Sequence, residues 1–583
     1  MLSLLTIQAI NLRKMKKKPR KIYIGVAWPY VNDIFHMGNL VGAYLPPDIF
    51  CRFQKLCGNE VLMISGSDFH GTPITLKAEK EGVEPEVVAE RFHQLDKEYL
   101  QRFHIDYSLY TSTHTENHKK VVQEMFLRLL ENGFIKILKT KQLYSEKSKR
   151  FLQDRYVEGE CPYCHSKDAR GDQCEACGRV LDSLELIKPV SKIDKGPLTI
   201  RETENYFLDL EKLQAKIKEW LLDRKDWRDW VKKEALGWIE EGLRPRAITR
   251  DLDYGVPLPI DKIPKEKLIK DIENKCFYVW FEAVIGYLSG AIEYSGIIKK
   301  PDYWKDFFYN KEAETYYFVG QDNLVFHTIN WPAQLLAYDP KINLPTNVFV
   351  NKFLLLEGKK MSKSHNWYLS TEDLAEDYTI DSLRFYLSLN MPETKEFSFS
   401  WQDFLKTNNS VLVGTIGNFI HRVLSFAQNN FGNEFILEGF LSSEEVKEKI
   451  DEALKKSKAF LDKGKFRQAL QEIISLCIFS NQFFDRNQPW KIVKESPETA
   501  KETIRNCLLI IENLRILIYP FLPDGAEGLS KLLGYKEFSF DSGSDLWQLS
   551  RPKKIILNKS IKPLFPKIEE EKIEKELAKL KQK

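Results

Sequence analysis

The chain has 583 residues, 43% hydrophobic and 29% charged, with 87 basic against 83 acidic side chains and a formal net charge of +4. That length allows three to four domains with sizeable cores and excludes disorder as the default, while the near balance of charge leaves any nucleic-acid surface to local patches. Nine cysteines, four of them clustered, fit a reducing compartment better than a disulfide framework, and no run of 18 or more apolar residues marks a membrane span.

In chain order, residues 1–12 are mildly apolar and 13–21 (RKMKKKPRK) are basic. Charge that follows the apolar run, with no small-residue cleavage site, argues against a secretory leader. Residues 1–21 read as a basic extension, or as sequence ahead of a true start at Met15. Ile22–Ala27 then reads as a buried parallel strand. Pro29 and Asn32-Asp33 make a loop, and His36-Met37-Gly38-Asn39 opens a helix. The unpaired backbone N–H groups of a helix start suit a phosphate. Gly38 permits close approach of a nucleotide, and His36 and Asn39 add side-chain donors. Taken locally, this stretch is equally an ordinary strand–turn–helix.

Residues 22–115 alternate strand and helix, the pattern of a parallel sheet. The strand Val61–Ser65 runs into GSDFHGTP, at the kind of carboxyl end where ligands bind. Asp68 there either pairs with an ammonium group or caps the next helix. Residues 116–239 read as an insertion centred on Cys161-x-x-Cys164, nine residues, and Cys174-x-x-Cys177. Two such pairs bring four thiolates together, which suits tetrahedral zinc, structural because no coordination position is spare. Trp220, Trp227, Trp230 and Trp238 read as packing of a small helical unit.

Sheet patterning returns over 240–350, with Arg250, FYVWFEAVIG (277–286), the strand Tyr316–Gly320, Gln321-Asp322-Asn323 and a helical run, Leu324–Leu336. His327 and Trp331 lie four apart and share a face. With Trp280 they either enclose an uncharged, polarisable side chain, sulfur–aromatic contacts being worth ~0.3–1.5 kcal/mol each, or are plain core. Residues 351–400 carry GKKMSKS (358–364), whose lysines can neutralise a triphosphate and its departing pyrophosphate. From 401 to 545 the periodicity is that of a helix bundle. Asn418 and Arg422 share one face there, and Trp490 follows Pro489. An aromatic beside an Arg and an Asn suits unstacked RNA bases, or is a tryptophan at a helix junction. A charged tail, 546–583, ends the chain.

Together AWPYVND-x-x-HMGN, SDFHGTP, CPYC with DQCEACG, FYVWFEAVIGY, VGQDNLVFHTINWPA, KMSKS, GNFIHR and NQPW resemble, in order, the methionyl-tRNA synthetase family of class I aminoacyl-tRNA synthetases. The resemblance runs from about residue 22 to 566. Departures are Met37 and Asn39 in the first motif, Val284 where many members have Pro or Thr, and Glu282 where they often have Asp; the last two are expected at the pocket rim. The resemblance implies a Rossmann-like α/β fold with an inserted zinc-ribbon connective domain and an all-α anticodon-binding bundle. It implies a methionine pocket of Ala27, Trp28, Tyr30, Trp280, Ala283, Tyr287, Phe326, His327 and Trp331, with Asp68 on the substrate ammonium. His36, Gly38, Asn39, Lys360, Ser362 and Lys363 would serve ATP-Mg²⁺ and catalysis, with Arg250 and Asp322 supporting. Asn418, Arg422 and Trp490 would read the anticodon, and Cys161, Cys164, Cys174 and Cys177 would hold one Zn²⁺. The implied partners are methionine, ATP and tRNA(Met), and the implied compartment is the cytoplasm. With no room after Lys583 for a C-terminal tRNA-binding domain, a monomer is expected, alone or with a separate tRNA-binding subunit. The other readings are a nucleotidyl-transferring enzyme without tRNA, which would need no bundle, and a non-catalytic RNA-binding relative, which would need no lysine loop. Leucine, isoleucine or valine specificity is disfavoured by the short insertion.

Overall fold

The computed structural model describes residues 18–152, 156–167, 169–171, 174, 176–177, 181, 183–192, 194–361, 367–540 and 543–581. Five parallel strands form the central sheet: β1 (Lys21–Val26), β2 (Glu60–Ser67), β3 (Leu109–Ser112), β4 (Glu314–Gly320) and β5 (Asn347–Asn351), in spatial order β5-β4-β1-β2-β3. In β1, Ile22, Tyr23, Ile24 and Val26 are all buried, as both faces of a helix-covered parallel sheet require. Gly25 sits opposite Tyr317 of β4 on one side and Ile64 of β2 on the other. The chain leaves β1 toward β2 and β3, then returns to β4 on the opposite side. The neighbouring carboxyl ends of β1 and β4 are therefore the topological switch point, where a doubly wound sheet opens a crevice.

After β1 comes one long helix, α1 (37–56), made of Met37–Asn39, a π-helical turn Leu40–Tyr44 and the α segment Leu45–Leu56. Pro46 and Pro47 do not break it. They stand in the first turn of the α segment, where a missing N–H costs least.

Between β3 and β4, Ile135–Ser145 and Leu198–Leu208 pair antiparallel along their whole length. A small sheet of Val157–Glu160, Ala169–Arg170 and Ile187–Ser191 lies beyond them and carries the cysteines. The flanking helices Leu210–Leu222 and Asp229–Glu240 bury Leu213, Ile217, Trp220 and Val231 in the main core, with Trp227 from the connection between them. Trp227 and Trp230 donate to the Thr346 and Glu393 carbonyls, so these tryptophans pack on the body of the protein; Trp238 is exposed.

The second half is helical: a run over 401–431 with a π-helical stretch Asn408–Gly417, then Glu444–Leu461, Phe466–Asn487, Pro497–Ile518 and Pro523–Leu532. Among the described residues, the run Trp401–Phe431 is the one helix long and apolar enough to cross a membrane by length and composition. Its Leu412, Ile416, Phe419, Ile420, Val423 and Leu424 are buried in the bundle core.

One buried cation ties α1 to this bundle. Arg384 donates from Nη2 to Asp48 Oδ2 (2.6 Å) and the Pro520 carbonyl, from Nη1 to the Phe103 carbonyl, and from Nε to the Phe521 carbonyl. Asp48 also accepts from Arg52 Nε at 2.9 Å. Removing Arg384 would leave Asp48 with Arg52 alone and strip the Phe103, Pro520 and Phe521 carbonyls of this donor; loss of one partner of a buried pair costs about 3–5 kcal/mol. Arg384→Met should therefore destabilise the chain by about that much in reversible urea unfolding; a loss near zero would show that the pair is not what holds the two parts together.

Candidate active site

A cavity of about 470 Å³ opens at the carboxyl ends of β1 and β4. Ala27, Trp28 and Tyr30 enter it from the loop after β1, and Asp322 and His327 from the chain after β4. Trp280, Ala283 and Tyr287 line it from the FYVWFEAVIGY segment. His36, Gly38 and Asn39 come from the start of α1, with Asp68 from the loop after β2, and Lys360 closes the far side. Most residues drawn from the resemblance thus surround one space. Trp331 does not reach it: it is fully buried behind Tyr287, ring centroids 6.0 Å apart. Phe326–Asn330 is a π-helical turn, wider than an α turn, so the assumed α-helical spacing of His327 and Trp331 does not hold. Arg250 lies outside the lining, its guanidinium 4.6 Å over the Tyr278 ring. Ser362 and Lys363 fall outside the described residues.

The start of α1 differs from the open cradle read from the sequence. His36 is the N-cap: its Nδ1 accepts the Gly38 N–H (3.0 Å), while Asn39 Oδ1 accepts the His36 N–H (3.0 Å). Met37 N–H goes to the Leu369 carbonyl, and the Asn39 and Leu40 N–H groups go to the His36 carbonyl. The first-turn amides are thus already engaged within the protein. An accepting Nδ1 puts the ring proton of His36 on Nε2, and an accepting Oδ1 leaves the Asn39 amide nitrogen as donor. Gly38 is needed for the protein's own packing: a Cβ there would lie 2.8 Å from the His36 ring and 2.9 Å from Met361 of the lysine loop.

At the other end the walls are aromatic. Trp280 and Phe326 stack at 4.2 Å, and Tyr30 meets Trp280 edge-on at 6.0 Å. The Trp28 indole occupies a slot between Gly66 and Gly286, where added Cβ atoms would come within 2.6 and 2.7 Å of it. His327 Nδ1 donates to the Asn323 carbonyl (2.8 Å), so its Nε2 accepts the Tyr287 O–H (2.6 Å). Burial pushes the His327 imidazole down to about 4. The pair is therefore neutral, with its polar atoms satisfied.

Beneath this wall lies an acid–histidine cluster that the sequence reading missed. Glu282 is fully buried, not at the rim. Its oxygens meet His70 Nδ1 (2.9 Å) and His118 Nε2 (2.7 Å), and His118 Nδ1 meets Ser289 Oγ (2.8 Å). Burial works against ionisation of Glu282, yet His70 and His118 hold it below the usual carboxylate range. Asp68, also buried, is pushed well up by burial and then by Glu282, while the His70 N–H it accepts works the other way. His70 stands in the quoted SDFHGTP, which was the available signal; Glu282 was seen as a departure but assigned to the wrong surface.

Two further clusters complete the picture. The sulfurs of Cys161, Cys164, Cys174 and Cys177 lie within 4.8 Å of one another, with Cys161–Cys177 at 3.9 Å and Cys164–Cys174 at 3.5 Å. Four thiolates each about 2.3 Å from one ion would be spaced similarly, so the set fits a metal. On the bundle, the Arg422 guanidinium lies 5.7 Å over the half-exposed Trp490 ring and pairs with Asp485 at 2.6 Å. Asn418 is exposed on the same helix. Gln488, in a left-handed conformation (φ 40°), turns the chain into Pro489-Trp490.

His327 binds its proton less readily folded than unfolded, so the unfolded chain takes up that proton first as pH falls. Its contribution to stability is complete above about pH 6.5 and declines as pH drops toward about 4. In an NMR titration the His327 ring should stay neutral until about pH 4; protonation near pH 6.5 would show the site to be wet.

The family model of class I tRNA synthetases (M) matches residues 22–424, and that of the anticodon binding domain of methionyl tRNA ligase matches 440–582. A methionine–tRNA ligase of Roseiflexus sp. (strain RS-1) is 44% identical over 525 residues, 89% of this chain and 87% of that one. One from Dehalococcoides mccartyi is 41% identical over 564 residues, 96% and 99%. In structure the chain is similar to the Mycobacterium tuberculosis methionyl-tRNA synthetase bound by methionyl-adenylate, with a TM-score of 0.74 and 22% identity, covering 94% of this chain and 100% of that one. The match of both family models and the extent of these identities place the chain in the methionine–tRNA ligase family of class I aminoacyl-tRNA synthetases.

Proposed function

We propose that the chain joins methionine to ATP to give methionyl-adenylate and pyrophosphate, then transfers the methionyl group to the terminal adenosine of tRNA(Met). The observation that carries this reading is one cavity of two characters: a neutral aromatic end beside a buried carboxylate, and a polar end of His36, Asn39, Asp322 and Lys360. In the aromatic end the thioether meets Trp280, Phe326, Ala27, Ala283, Trp28 and Tyr30, with the neutral Tyr287–His327 pair offering no charge to draw water in. Trp331 backs Tyr287. Asp68 takes the ammonium, whose charge offsets the burial that otherwise favours protonation of that carboxyl.

The methionine carboxylate attacks the α-phosphorus, and pyrophosphate leaves with the bonding electrons. No side chain acts as nucleophile; the protein positions the reactants and stabilises phosphate charge. His36 Nε2–H, the Asn39 amide, Lys360 and the loop residues Ser362 and Lys363 serve the phosphates, with Gly38 keeping the loop close and Arg250 and Asp322 supporting. Mg²⁺ bound with ATP would neutralise part of the phosphate charge. In the second step the 2′-hydroxyl of the terminal ribose attacks the methionyl carbonyl. An ester C–O bond forms, the bond from carbonyl carbon to phosphate oxygen breaks, AMP leaves with the electron pair, and the hydroxyl proton is released.

Within the same reading, Asn418, Arg422 and Trp490 receive the anticodon, and the four cysteines hold one structural Zn²⁺. The chain divides into a basic extension (1–21), catalytic halves (22–115 and 240–350) around the connective insertion (116–239), a lysine-loop region (351–400), the anticodon bundle (401–545) and a tail (546–583). It acts in the cytoplasm as a monomer, with a separate tRNA-binding subunit as the alternative arrangement.

The deciding experiment is amino-acid-dependent ATP–pyrophosphate exchange with each of the twenty amino acids and no tRNA. Exchange with methionine alone is expected; exchange with a different amino acid would overturn the pocket assignment. Elemental analysis should find one zinc per chain, lost in Cys174→Ser; full zinc retention in that variant would remove the cluster from metal binding.

A further inference from the structure

Two guanidinium groups stand unneutralised beside the cavity. Arg246 lies with its Cζ 4.9 Å over the ring of Phe326, on the outer side of the Phe326–Trp280 stack. Arg250 lies 4.6 Å over Tyr278. Among the described residues Arg246 has no hydrogen-bond acceptor and no carboxylate partner, and Arg250 donates once, from Nη1 to the Thr249 carbonyl at 3.1 Å. The acids next in sequence are taken: Asp251 by Lys275 (2.5 Å) and Thr203, Asp253 by Arg150 (3.5 Å). A guanidinium carries five N–H donors, so among the described residues most of those on Arg246 and Arg250 are left to a ligand or water. Burial, with Arg250 adding to it, pulls the Arg246 guanidinium below its ordinary value, whereas Tyr278 works the other way. An anion would relieve that burial cost.

Their place in the fold identifies the anion. Arg246–Ala247 pairs with Leu208 and Phe207 at the base of the inserted hairpin, and Thr249–Asp251 pairs with Lys275–Phe277, the strand that leads into Tyr278 and Trp280. The arginines thus mark the seam between the insertion and the aromatic wall. Arg246 does not line the cavity, and the groups assigned to ATP phosphates are others. We propose that Arg246 binds the phosphodiester backbone of the single-stranded 3′ end of tRNA as it comes over the aromatic wall to the adenylate. The proposal rests on the functional reading above and adds a residue that receives the third reactant.

The test compares the wild type, Arg246→Gln and Arg246→Lys in two assays: methionine-dependent exchange without tRNA, and single-turnover transfer from preformed methionyl-adenylate to subsaturating tRNA across salt concentrations. For Arg246→Gln, exchange should stay within about threefold of wild type, transfer should fall about tenfold, and the salt slope should flatten by roughly 0.7 for each lost contact to a single strand. Arg246→Lys should recover most of the rate, because the charge is kept. A second measurement leaves the protein unaltered: an uncharged methylphosphonate at single linkages near the 3′ end should slow wild-type transfer and leave Arg246→Gln unaffected. Transfer and salt slope unchanged in Arg246→Gln would overturn the proposal. So would exchange falling in parallel with transfer while the methylphosphonate tRNAs react normally, since Arg246 would then act on ATP or on the pocket. If the wild type shows no methionine-dependent exchange, the functional reading itself fails, and this proposal with it.

Discussion

Asp48 and Arg384 are charged, opposite and almost wholly removed from water. A pair so placed is tolerable only when every lone pair and donor near it is satisfied. Here the satisfying groups come from distant parts of the chain: the Phe103 carbonyl from the catalytic half, and the Pro520 and Phe521 carbonyls from just past the end of the bundle helix Pro497–Ile518. The pair can form only when the sheet and the bundle are both in place. It sits midway along α1, a rod about 30 Å long at 1.5 Å per residue, whose first turn carries His36. Farther along the same rod, Gln54 reaches Asp462 and Lys458 reaches Cys57. The helix that presents His36 to the cavity is thus anchored to the bundle that carries Trp490, and neither end can shift without disturbing a desolvated charge.

The active site uses charge sparingly. At the aromatic end, His327 is kept neutral by burial and by a fixed tautomer, and its partner is a hydroxyl. An imidazolium there would hold water against the aromatic walls. A carboxylate lies instead just behind, where Glu282 meets two histidine rings and leaves Asp68 close to a like charge. Of two neighbouring buried carboxyls, the environment stabilises one as the anion and leaves the other requiring a cation. An amino group is one such cation, and a carboxylate-bearing substrate without an amine would find no compensation there.

Three helical stretches depart from α geometry: Leu40–Tyr44 beneath His36, Phe326–Asn330 around His327, and Asn408–Gly417 just before Asn418. Each inserts a wider turn next to a residue proposed to meet substrate or tRNA, and π-helical turns frequently fall at such sites. The wider turn after β4 is why His327 faces the cavity while Trp331 packs behind it. Glycine does comparable work around Trp28, where Gly66 and Gly286 open a slot the width of an indole.

Much was legible before any packing was considered. Continuous apolar runs announced β1, β2 and β4, because strands buried on both faces cannot alternate. Paired cysteines announced a metal cluster, and 3.6-residue periodicity announced the bundle. These are local properties, set by residue type and spacing. What only the tertiary structure decided is which polar groups are already spoken for. The amides of α1 are consumed by His36, Leu369 and the helix itself, Glu282 faces inward onto histidines from two other segments, and among the described residues Arg246 is left without an acid because Asp251 and Asp253 pair elsewhere. A hydrogen bond or ion pair depends on partners brought together from opposite ends of the sheet, and nothing in local sequence records whether a donor has found one.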